Sequence, residues 1–193
     1  TMTQDVTRYR NGTFKVGAAV GISDDYLKRA KILHSVGVDF LCIDVAHGHH
    51  IMMKEAIETL RKEFGADIHI MAGNVATLSG LNDLADWGAD SVRCNIGGGS
   101  ICSTRVQTGH GLPGLETIFE CAKTDRNVKI IADGGIKTSG DIVKALAAGA
   151  DAVMAGSLLA GTDETPGTVM EDKSGNRWKI YRGMASKEAQ IGW

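Results

Sequence analysis

The residue with the clearest chemical potential in this sequence is Cys102, which ends a stretch rich in glycine. Residues 95–105 read NIGGGSICSTR, so three consecutive glycines lie just before the cysteine. Consecutive glycines lose much backbone entropy on folding and fill no space in a core, which argues against a packing role. A thiolate is a strong nucleophile, and a bare loop lets a substrate approach it closely. The pattern predicts a nucleophilic cysteine, with Thr104 as a proton relay and Arg105 as a nearby positive charge.

The other three cysteines have a different setting. Cys42, Cys94 and Cys121 stand in apolar stretches that suit a strand or a helix, where a free cysteine is usually a small buried thiol. No C-x-x-C pair is present, which argues against a zinc ribbon or a redox dithiol. We therefore expect reduced thiols and a cytoplasmic protein.

Two further glycine-containing segments indicate phosphate binding. Asp133-Gly134-Gly135 and Gly156-Ser157 each follow an apolar run, and each is expected to open a helix. Backbone N–H groups at helix N-termini bind phosphate readily. Asp133 can accept hydrogen bonds from ribose hydroxyls beside such a phosphate; the alternative is an aspartate that only stabilises a turn or caps a helix.

The histidine-rich segment AHGHH, residues 46–50, invites a metal interpretation. Its histidines, His47, His49 and His50, have neither the i, i+4 spacing of a helical metal site nor an obvious carboxylate partner. We expect a loop that contacts a ligand instead.

One local phrase recurs along the chain and defines the elements that must position these residues. A helix end, a glycine, a small residue, an aspartate and an apolar run occur together in 35–45, 63–74, 86–96 and 147–157. Glycine suits the end of a helix, and a short two-sided apolar run suits a buried parallel strand. The segments 14–21 and 127–135 predict two more strands.

Amphipathic segments predict helices between the strands. The clearest span residues 24–36 and 51–64, and later helices are expected to be capped by Thr77 or Ser79 and by Ser139. The large apolar side chains at helical spacing are interpreted as core residues: Met52, Met53, Trp87 and Phe119.

Six strands alternating with helices predict an α/β fold with a parallel sheet. An open doubly wound sheet is one solution, and a (β/α)₈ TIM barrel is the other. Polar, glycine-rich segments follow each strand, and in a barrel they all converge on one C-terminal face. We therefore predict a barrel with about six βα units present and the first two strands missing. A hairpin within residues 170–184 is expected to return Tyr181, Gly183 and Met184 to these loops.

The overall composition limits the class of partner. The 21 basic and 23 acidic residues leave a net charge of -2, and the apolar runs are too short to span a bilayer. We expect small-molecule ligands, with no nucleic acid and no membrane partner.

Five blocks, in order along the chain, resemble the IMP dehydrogenase / GMP reductase family from about residue 14 onward. They are AGNVAT, GGGSICSTR, IADGGI, AGSLLAGTDETPG and YRGMAS. The resemblance implies a (β/α)₈ barrel that assembles as a homotetramer. It also implies that Cys102 attacks C2 of a purine nucleotide (IMP, XMP or GMP), with Thr104 as the motif threonine. Dehydrogenases of the family convert IMP, NAD and water to XMP and NADH, whereas reductases convert GMP and NADPH to IMP and ammonia.

The resemblance further implies the following contacts. Ser100, Asp133, Gly135, Gly156, Ser157 and Tyr181 hold the ribose phosphate, and Gly183, Met184 and Ala185 lie under the base. Asp44 and Asn74 contact the nicotinamide cofactor, and the backbone carbonyls of Gly97, Gly99 and Cys102 bind a potassium ion.

The sequence departs from the family pattern at two positions, and other motifs favour either the dehydrogenases or the reductases of the family. Asn95 stands where dehydrogenases usually have glycine, and Gly114 stands where a glutamine usually follows the proline. IADGGI, GSLLAG and YRGM favour a dehydrogenase, whereas MAGN favours a reductase. We take the dehydrogenase as the first interpretation and the reductase as the alternative, followed by an inactive nucleotide-binding homologue and by a barrel that binds a flavin phosphate.

The resemblance also divides the chain. Residues 1–13 are predicted to be a linker or the exit from an inserted or missing CBS region. Residues 14–193 are predicted to be the catalytic barrel portion, ending where a dehydrogenase begins its flap with the water-activating Arg–Tyr pair.

Overall fold

The computed structural model describes residues 14–23 and 25–183, and in these ranges strands alternate with helices. The strands of the main sheet are β1 (Gly17–Val20), β2 (Phe40–Asp44), β3 (His69–Val75), β4 (Ser91–Cys94), β5 (Lys129–Asp133) and β6 (Ala152–Met154). The helices are α1 (Tyr26–Ser35), α2 (Ile51–Phe64), α3 (Leu78–Asp86), α4 (Thr104–Thr108), α5 (Gly114–Cys121) and α6 (Ser139–Ala147). The predictions for residues 1–13, for Met184 and Ala185 and for the flap region lie outside the described residues.

The order of the strands separates the two predicted architectures. The six strands are all parallel, and they lie side by side in the same order as in the sequence. A doubly wound sheet reverses its strand order at a switch point, and no such reversal occurs here. The consecutive order is that of a (β/α)₈ barrel, with six strands in the described residues.

The sheet is curled, because side chains from distant strands meet on one of its faces. Cys42 of β2, Met71 of β3 and Ile131 of β5 form one buried cluster, against which Phe40 and Met154 pack. In a flat sheet β2 and β5 would be about 14 Å apart, at roughly 4.8 Å per strand. This concave face corresponds to the interior of the barrel.

The convex face carries the larger core, in which strand residues such as Leu41, Ile43 and Ile70 pack against the helices. Met53 is fully buried there, as predicted, and Trp87 is partly buried. The core prediction is wrong for Met52 and Phe119, which are 40% and 50% exposed. Each is adjacent in sequence to a buried residue, and one step along a helix turns a side chain by about 100° away from the buried stripe.

The recurring Gly-x-Asp phrase ties successive strands together. In three of the repeats the aspartate accepts a hydrogen bond from a backbone N–H near the start of the preceding strand: Asp39 from Val16 (2.8 Å), Asp90 from Ile70 (2.7 Å) and Asp151 from Ile130 (2.8 Å). The repeated aspartate therefore sets how each strand begins against its neighbour.

Helix caps agree with the sequence in one case and differ in another. Thr77 caps α3 by accepting a hydrogen bond from the N–H of Gly80. For α6 the cap is Thr138 rather than the predicted Ser139, because Thr138 and Asp141 form a reciprocal capping box. None of the helices in the described part of the chain is long and apolar enough to cross a membrane.

The segment after β6 differs from its prediction. The helix expected at Gly156-Ser157 does not form, and the following residues make turns in which Leu159 and Ala160 both donate to the carbonyl of Gly156. The predicted hairpin is present as β7 (Met170–Glu171) and β8 (Arg177–Trp178), which are antiparallel.

Candidate active site

Charged side chains gather on the concave face near the carboxyl ends of the strands. Asp44 and Asp133 are the last residues of β2 and β5, and Arg93 lies between these strands on β4. One terminal nitrogen of Arg93 lies 2.6 Å from a carboxylate oxygen of Asp44, and the other lies 3.5 Å from Asp133. A single guanidinium therefore joins two carboxylates that belong to different strands.

Arg93 is the functional candidate that the sequence analysis missed. Its side chain is 7% exposed, and among the described residues its Nε is the buried side-chain nitrogen without a hydrogen-bond partner. Burial on its own would lower the pKa of Arg93, but the neighbouring Cys42, Asp44 and Asp133 outweigh it and the pKa is raised. The available signal was an arginine inside the otherwise uncharged strand SVRC, a position where an unpaired charge would be costly.

Asp133 is fixed by a second partner. The side-chain amide nitrogen of Asn74 donates to its carboxylate at 2.8 Å and also to the backbone carbonyl of Asn95 at 2.8 Å. Thr138 and Asp141 cap the helix that follows, so Asp133 has no part in that cap, and its carboxylate contacts Asn74 and Arg93 instead. Asn74 and Asp133 are thus in direct contact, although the family resemblance implied the cofactor for Asn74 and the ribose phosphate for Asp133.

The nucleophile candidate is exposed at the end of the loop between β4 and α4. The backbone N–H of Cys102 donates to the carbonyl of Gly99 at 3.1 Å, and its thiol donates to the hydroxyl of Thr104 at 3.2 Å. This loop touches the one after β5, since a Cβ added at Gly134 would lie 2.7 Å from the carbonyl carbon of Gly98. Bare backbone therefore brings the cysteine loop against the predicted phosphate loop.

Arg105, the positive charge expected near the thiol, is held by three oxygen acceptors. Its guanidinium donates to the backbone carbonyl of Ile96 at 2.9 Å, to the side-chain oxygen of Asn95 at 2.7 Å and to the carbonyl of Leu112 at 2.7 Å. The guanidinium therefore lies at the start of the loop, and Arg105 stabilises the backbone around the thiol.

The other three thiols are buried, as expected. Burial raises the pKa of Cys42, and the nearby Arg93 opposes this only in part. A hydrogen bond with Cys121, together with burial, raises the pKa of Cys94 well above its usual value. Among the four cysteines, only Cys102 is therefore accessible to a substrate.

The hairpin returns the chain to these loops, as predicted. A Cβ added at Gly156 would lie 2.8 Å from the hydroxyl oxygen of Tyr181, and one at Gly183 would lie 3.9 Å from Ile101. Tyr181 thus lies beside the turn after β6, and Gly183 lies beside the cysteine loop. Ser100 and Ser157, the predicted phosphate ligands, are exposed.

The histidine loop is organised by local contacts. His50 caps α2 by accepting a hydrogen bond from the N–H of Met52, and His49 pairs with Asp83 at 2.7 Å. No group of three or more metal-binding side chains occurs in residues 14–23 and 25–183. The N–H of Gly48 donates to the carbonyl of Asn74, which places this loop next to the site.

Comparison with known proteins identifies the family. The family model described as "IMP dehydrogenase / GMP reductase domain" matches residues 3–192. IMP dehydrogenase from Nitrosopumilus maritimus is 48% identical over 190 residues, which are 97% of this chain and 40% of that protein. IMP dehydrogenase from Staphylococcus aureus strain Mu50 is 51% identical over 178 residues, which are 91% of this chain and 36% of that protein.

Solved structures give the same result. IMP dehydrogenase from Legionella pneumophila superposes with a TM-score of 0.86 at 48% identity, covering 100% of this chain and 58% of that one. A GMP reductase variant from Trypanosoma brucei in complex with guanosine 5'-monophosphate gives 0.87 at 43% identity, covering 92% and 38%. The chain belongs to the IMP dehydrogenase / GMP reductase family, so the resemblance and the barrel prediction are confirmed. It spans about 40% of the length of the curated relatives it matches.

Proposed function

We propose that this chain carries the catalytic centre of an IMP dehydrogenase, which converts IMP, NAD and water to XMP and NADH. The observation that supports this proposal most directly is the exposed Cys102 on its glycine-rich loop. Its thiol lies 3.2 Å from the hydroxyl of Thr104, and its loop contacts the loop that follows Asp133. Support comes from relatives named IMP dehydrogenase that are 47–51% identical over most of the chain. Because the chain spans only part of these relatives, the activity is our inference for the whole protein.

The nucleotide is proposed to bind between the loops after β4, β5 and β6. Asp133, oriented by Asn74 and Arg93, accepts hydrogen bonds from the ribose hydroxyls. The phosphate is assigned to Ser100, Gly135, Gly156, Ser157 and Tyr181. The base is assigned to Gly183, Met184 and Ala185, of which the last two are carried over from the family resemblance alone.

The chemistry begins at the thiol of Cys102, which already donates a hydrogen bond to Thr104. As the sulfur adds to C2 of IMP, its proton passes to Thr104 and on to solvent. The hydrogen at C2 leaves with its electron pair, and a thioimidate remains on Cys102. Water then adds to C2, the carbon–sulfur bond breaks, and XMP and the free thiol are released.

Bound NAD would supply the hydride acceptor, in accordance with the general division of work between cofactors and proteins. Asp44 and Asn74 are the residues assigned to hold it. They lie on adjacent strands, and Arg93 and Asp133 link them through two ion pairs and one hydrogen bond. The nicotinamide and the ribose of IMP would therefore share one charged group.

A potassium ion is proposed at the backbone carbonyls of Gly97, Gly99 and Cys102. The carbonyl of Gly99 accepts the N–H of Cys102, which closes this segment into a turn and leaves a second lone pair on the oxygen. Oxygen donors of this kind suit a hard cation. The ion would stabilise the loop that presents the thiol.

We also propose a broader setting for the chain. Residues 14–193 would be the catalytic barrel portion, and residues 1–13 would be a linker or the exit from a CBS region. Within the described residues β1 and β6 are each paired on one side only, which supports two further strands elsewhere in the protein. We expect a cytoplasmic homotetramer that acts on small molecules rather than on nucleic acid or membranes.

GMP reductase is the second candidate, and a specific likeness supports it. The Trypanosoma brucei reductase bound to guanosine 5'-monophosphate matches 92% of this chain with a TM-score of 0.87. The same Cys102 and Thr104 would serve, but C2 would release ammonia and accept hydride from NADPH.

The test is turnover by the full-length protein with IMP, NAD and potassium, followed by nicotinamide absorbance. We expect NADH from the parent and from Cys121→Ala, a matched change at a buried thiol of α5. Cys102→Ala should lose at least about 10³-fold in kcat, as when other nucleophiles are removed. NADPH consumption with GMP, without NADH formation from IMP, would contradict the dehydrogenase and support the reductase. No turnover in either assay would leave a nucleotide-binding homologue.

A further inference from the structure

Asn95, the first residue after β4, has a backbone conformation that is unusual for its type. Of the non-glycine residues that the structure describes, it alone has a positive φ, 101°. Such a conformation is strained for a residue other than glycine. Asn95 is also 6% exposed, so both its strain and its polar side chain must be offset by specific contacts.

The side chain of Asn95 makes these contacts in two directions. Its amide nitrogen donates to the backbone carbonyl of Asp133 at 2.7 Å, and its oxygen accepts from Arg105 at 2.7 Å. It lies in a crevice bordered by two glycines: a Cβ added at Gly98 would lie 1.9 Å from the amide nitrogen, and one at Gly114 would lie 3.0 Å from it. The bare backbone of Gly98 is therefore needed to admit this side chain.

Arg105 extends the connection to both ends of the surrounding segment. It donates to the carbonyl of Ile96 at 2.9 Å, at the start of the loop, and to that of Leu112 at 2.7 Å, shortly before α5. A Cβ added at Gly97 or Gly111 would lie 2.8 Å from the side chain of Arg105, so this arginine also packs closely against glycine backbone. Asn95 and Arg105 together thus link the end of β5, the cysteine loop and the approach to α5.

We propose that Asn95 and Arg105 form an internal brace that holds the cysteine loop in its reactive conformation. Asn95 is a positioning residue: it acts on Cys102 through the loop and through Arg105, and it does not touch the substrate. The brace deepens the proposed function, because its effect on turnover depends on that function. Its effect on the order of the loop does not.

The energetics separate positioning from general stability. Glycine at position 95 would relieve the backbone strain of the positive φ, which stabilises the folded protein. It would also remove two buried hydrogen bonds, one of them from the charged Arg105, which destabilises the folded protein. These contributions oppose each other, so Asn95→Gly should unfold close to the parent while the loop loses its link to Asp133.

The experiment compares Asn95→Gly and Arg105→Lys with the parent in the full-length protein. The matched control is Asn82→Ala, since Asn82 accepts a hydrogen bond from Thr124 on the outer layer, away from the loop. Three quantities are measured: amide hydrogen exchange of residues 96–103, inactivation of Cys102 by a halopurine nucleotide, and kcat for IMP oxidation. Iodoacetamide, which needs no positioned nucleotide, reports whether the thiol remains accessible.

We expect at least about 10-fold faster exchange of the loop amides in Asn95→Gly. The inactivation rate constant and kcat should each fall about 10- to 100-fold, because small displacements of a reacting group are costly. The reaction with iodoacetamide should not slow, and Asn82→Ala should change none of these quantities. The double variant Asn95→Gly/Arg105→Lys should lose less activation free energy for kcat than the sum of the two single losses, because both changes break the same brace.

Unchanged loop exchange in Asn95→Gly would overturn the proposal, as would equal changes in Asn82→Ala. If the parent turns over neither nucleotide, the proposed function fails, and hydrogen exchange still decides whether the brace exists. If the loop amides of Asn95→Gly exchange faster but the inactivation rate constant and kcat are unchanged, Asn95 only orders the loop. That result would also overturn its positioning role.

Discussion

Replacing Arg93 with methionine tests whether the two carboxylates at the site depend on one guanidinium. Methionine keeps much of the apolar volume but removes the contacts to Asp44 at 2.6 Å and to Asp133 at 3.5 Å. It also leaves the two carboxylates without the cation between them. Arg93→Met should therefore disorder both Asp44, which is proposed to contact the cofactor, and Asp133, which is proposed to contact the ribose.

The expected loss of stability is modest for a buried ion pair. Removing one partner of such a pair usually costs about 3–5 kcal/mol, because the remaining charge stays buried. Here the buried partner is the one removed, and water reaches Asp44 and Asp133, whose side chains are 46% and 22% exposed. A hydrogen bond to a charged group contributes about 1.5–3 kcal/mol, and loss of the unpaired Nε returns about 1 kcal/mol. The net cost should be about 0.5–2 kcal/mol.

Catalysis should suffer more than stability. We expect kcat/KM to fall about 10- to 100-fold for both IMP and NAD, since Asp44 and Asp133 lose the partner that fixes their geometry. The measurements are urea unfolding and steady-state kinetics with each substrate varied in turn. Arg61→Met is the control: Arg61 binds Asp90 and the carbonyls of Gly88, Gly65 and Ile68 on the helical side of the sheet. It should lose stability with kinetics close to the parent, and kinetics of Arg93→Met within twofold of the parent would refute the reasoning.

Three further predictions follow from the described contacts. Gly156→Ala should raise KM for IMP about 10-fold, because its Cβ meets the Tyr181 hydroxyl, and adding Tyr181→Phe should recover part of the loss; no recovery would place the effect elsewhere. Thr104→Val should lower the rate of adduct formation about 10²-fold in rapid-quench experiments, unless the proton leaves Cys102 by another route. Hydrogen bonds from Lys144 and from the α6 cap lower the pKa of Asp141, so its contribution to stability is present above about pH 4 and is lost as the pH falls below that value. The melting temperature of Asp141→Asn should accordingly depend less on pH below 4 than that of the parent, and equal slopes would contradict this account.

Much of the fold could be predicted from local chemistry in the sequence. Glycine at a helix end followed by aspartate precedes four of the six strands, where the glycine permits a positive φ and, in three cases, the aspartate binds the preceding strand. Gly37, Gly88 and Gly149 all have a positive φ, and the paired aspartates Asp39, Asp90 and Asp151 make the bonds described above. Helix faces were less certain, since Met52 and Phe119 each lie one residue away from the buried stripe.

The parts of the candidate site that consist of glycine-rich loops could be predicted from the sequence. The glycines before Cys102 and after Asp133 indicated loops that approach each other, and their contact through Gly98 and Gly134 is observed. Contacts between long side chains were not predictable, because they depend on the curvature of the sheet. The link from Arg93 to two strands and the turn of Arg105 towards Asn95 both belong to this class.

The central claim is that Cys102 forms a covalent bond to C2 of the purine during turnover. The most direct test mixes the full-length protein with IMP and NAD, quenches the reaction in acid during the steady state and measures the mass of the peptide that contains Cys102. The account predicts a nucleotide adduct on this peptide that forms only when both substrates are present and that is absent in Cys102→Ala. Turnover in Cys102→Ala, or steady-state turnover by the parent without any adduct at Cys102, would contradict it.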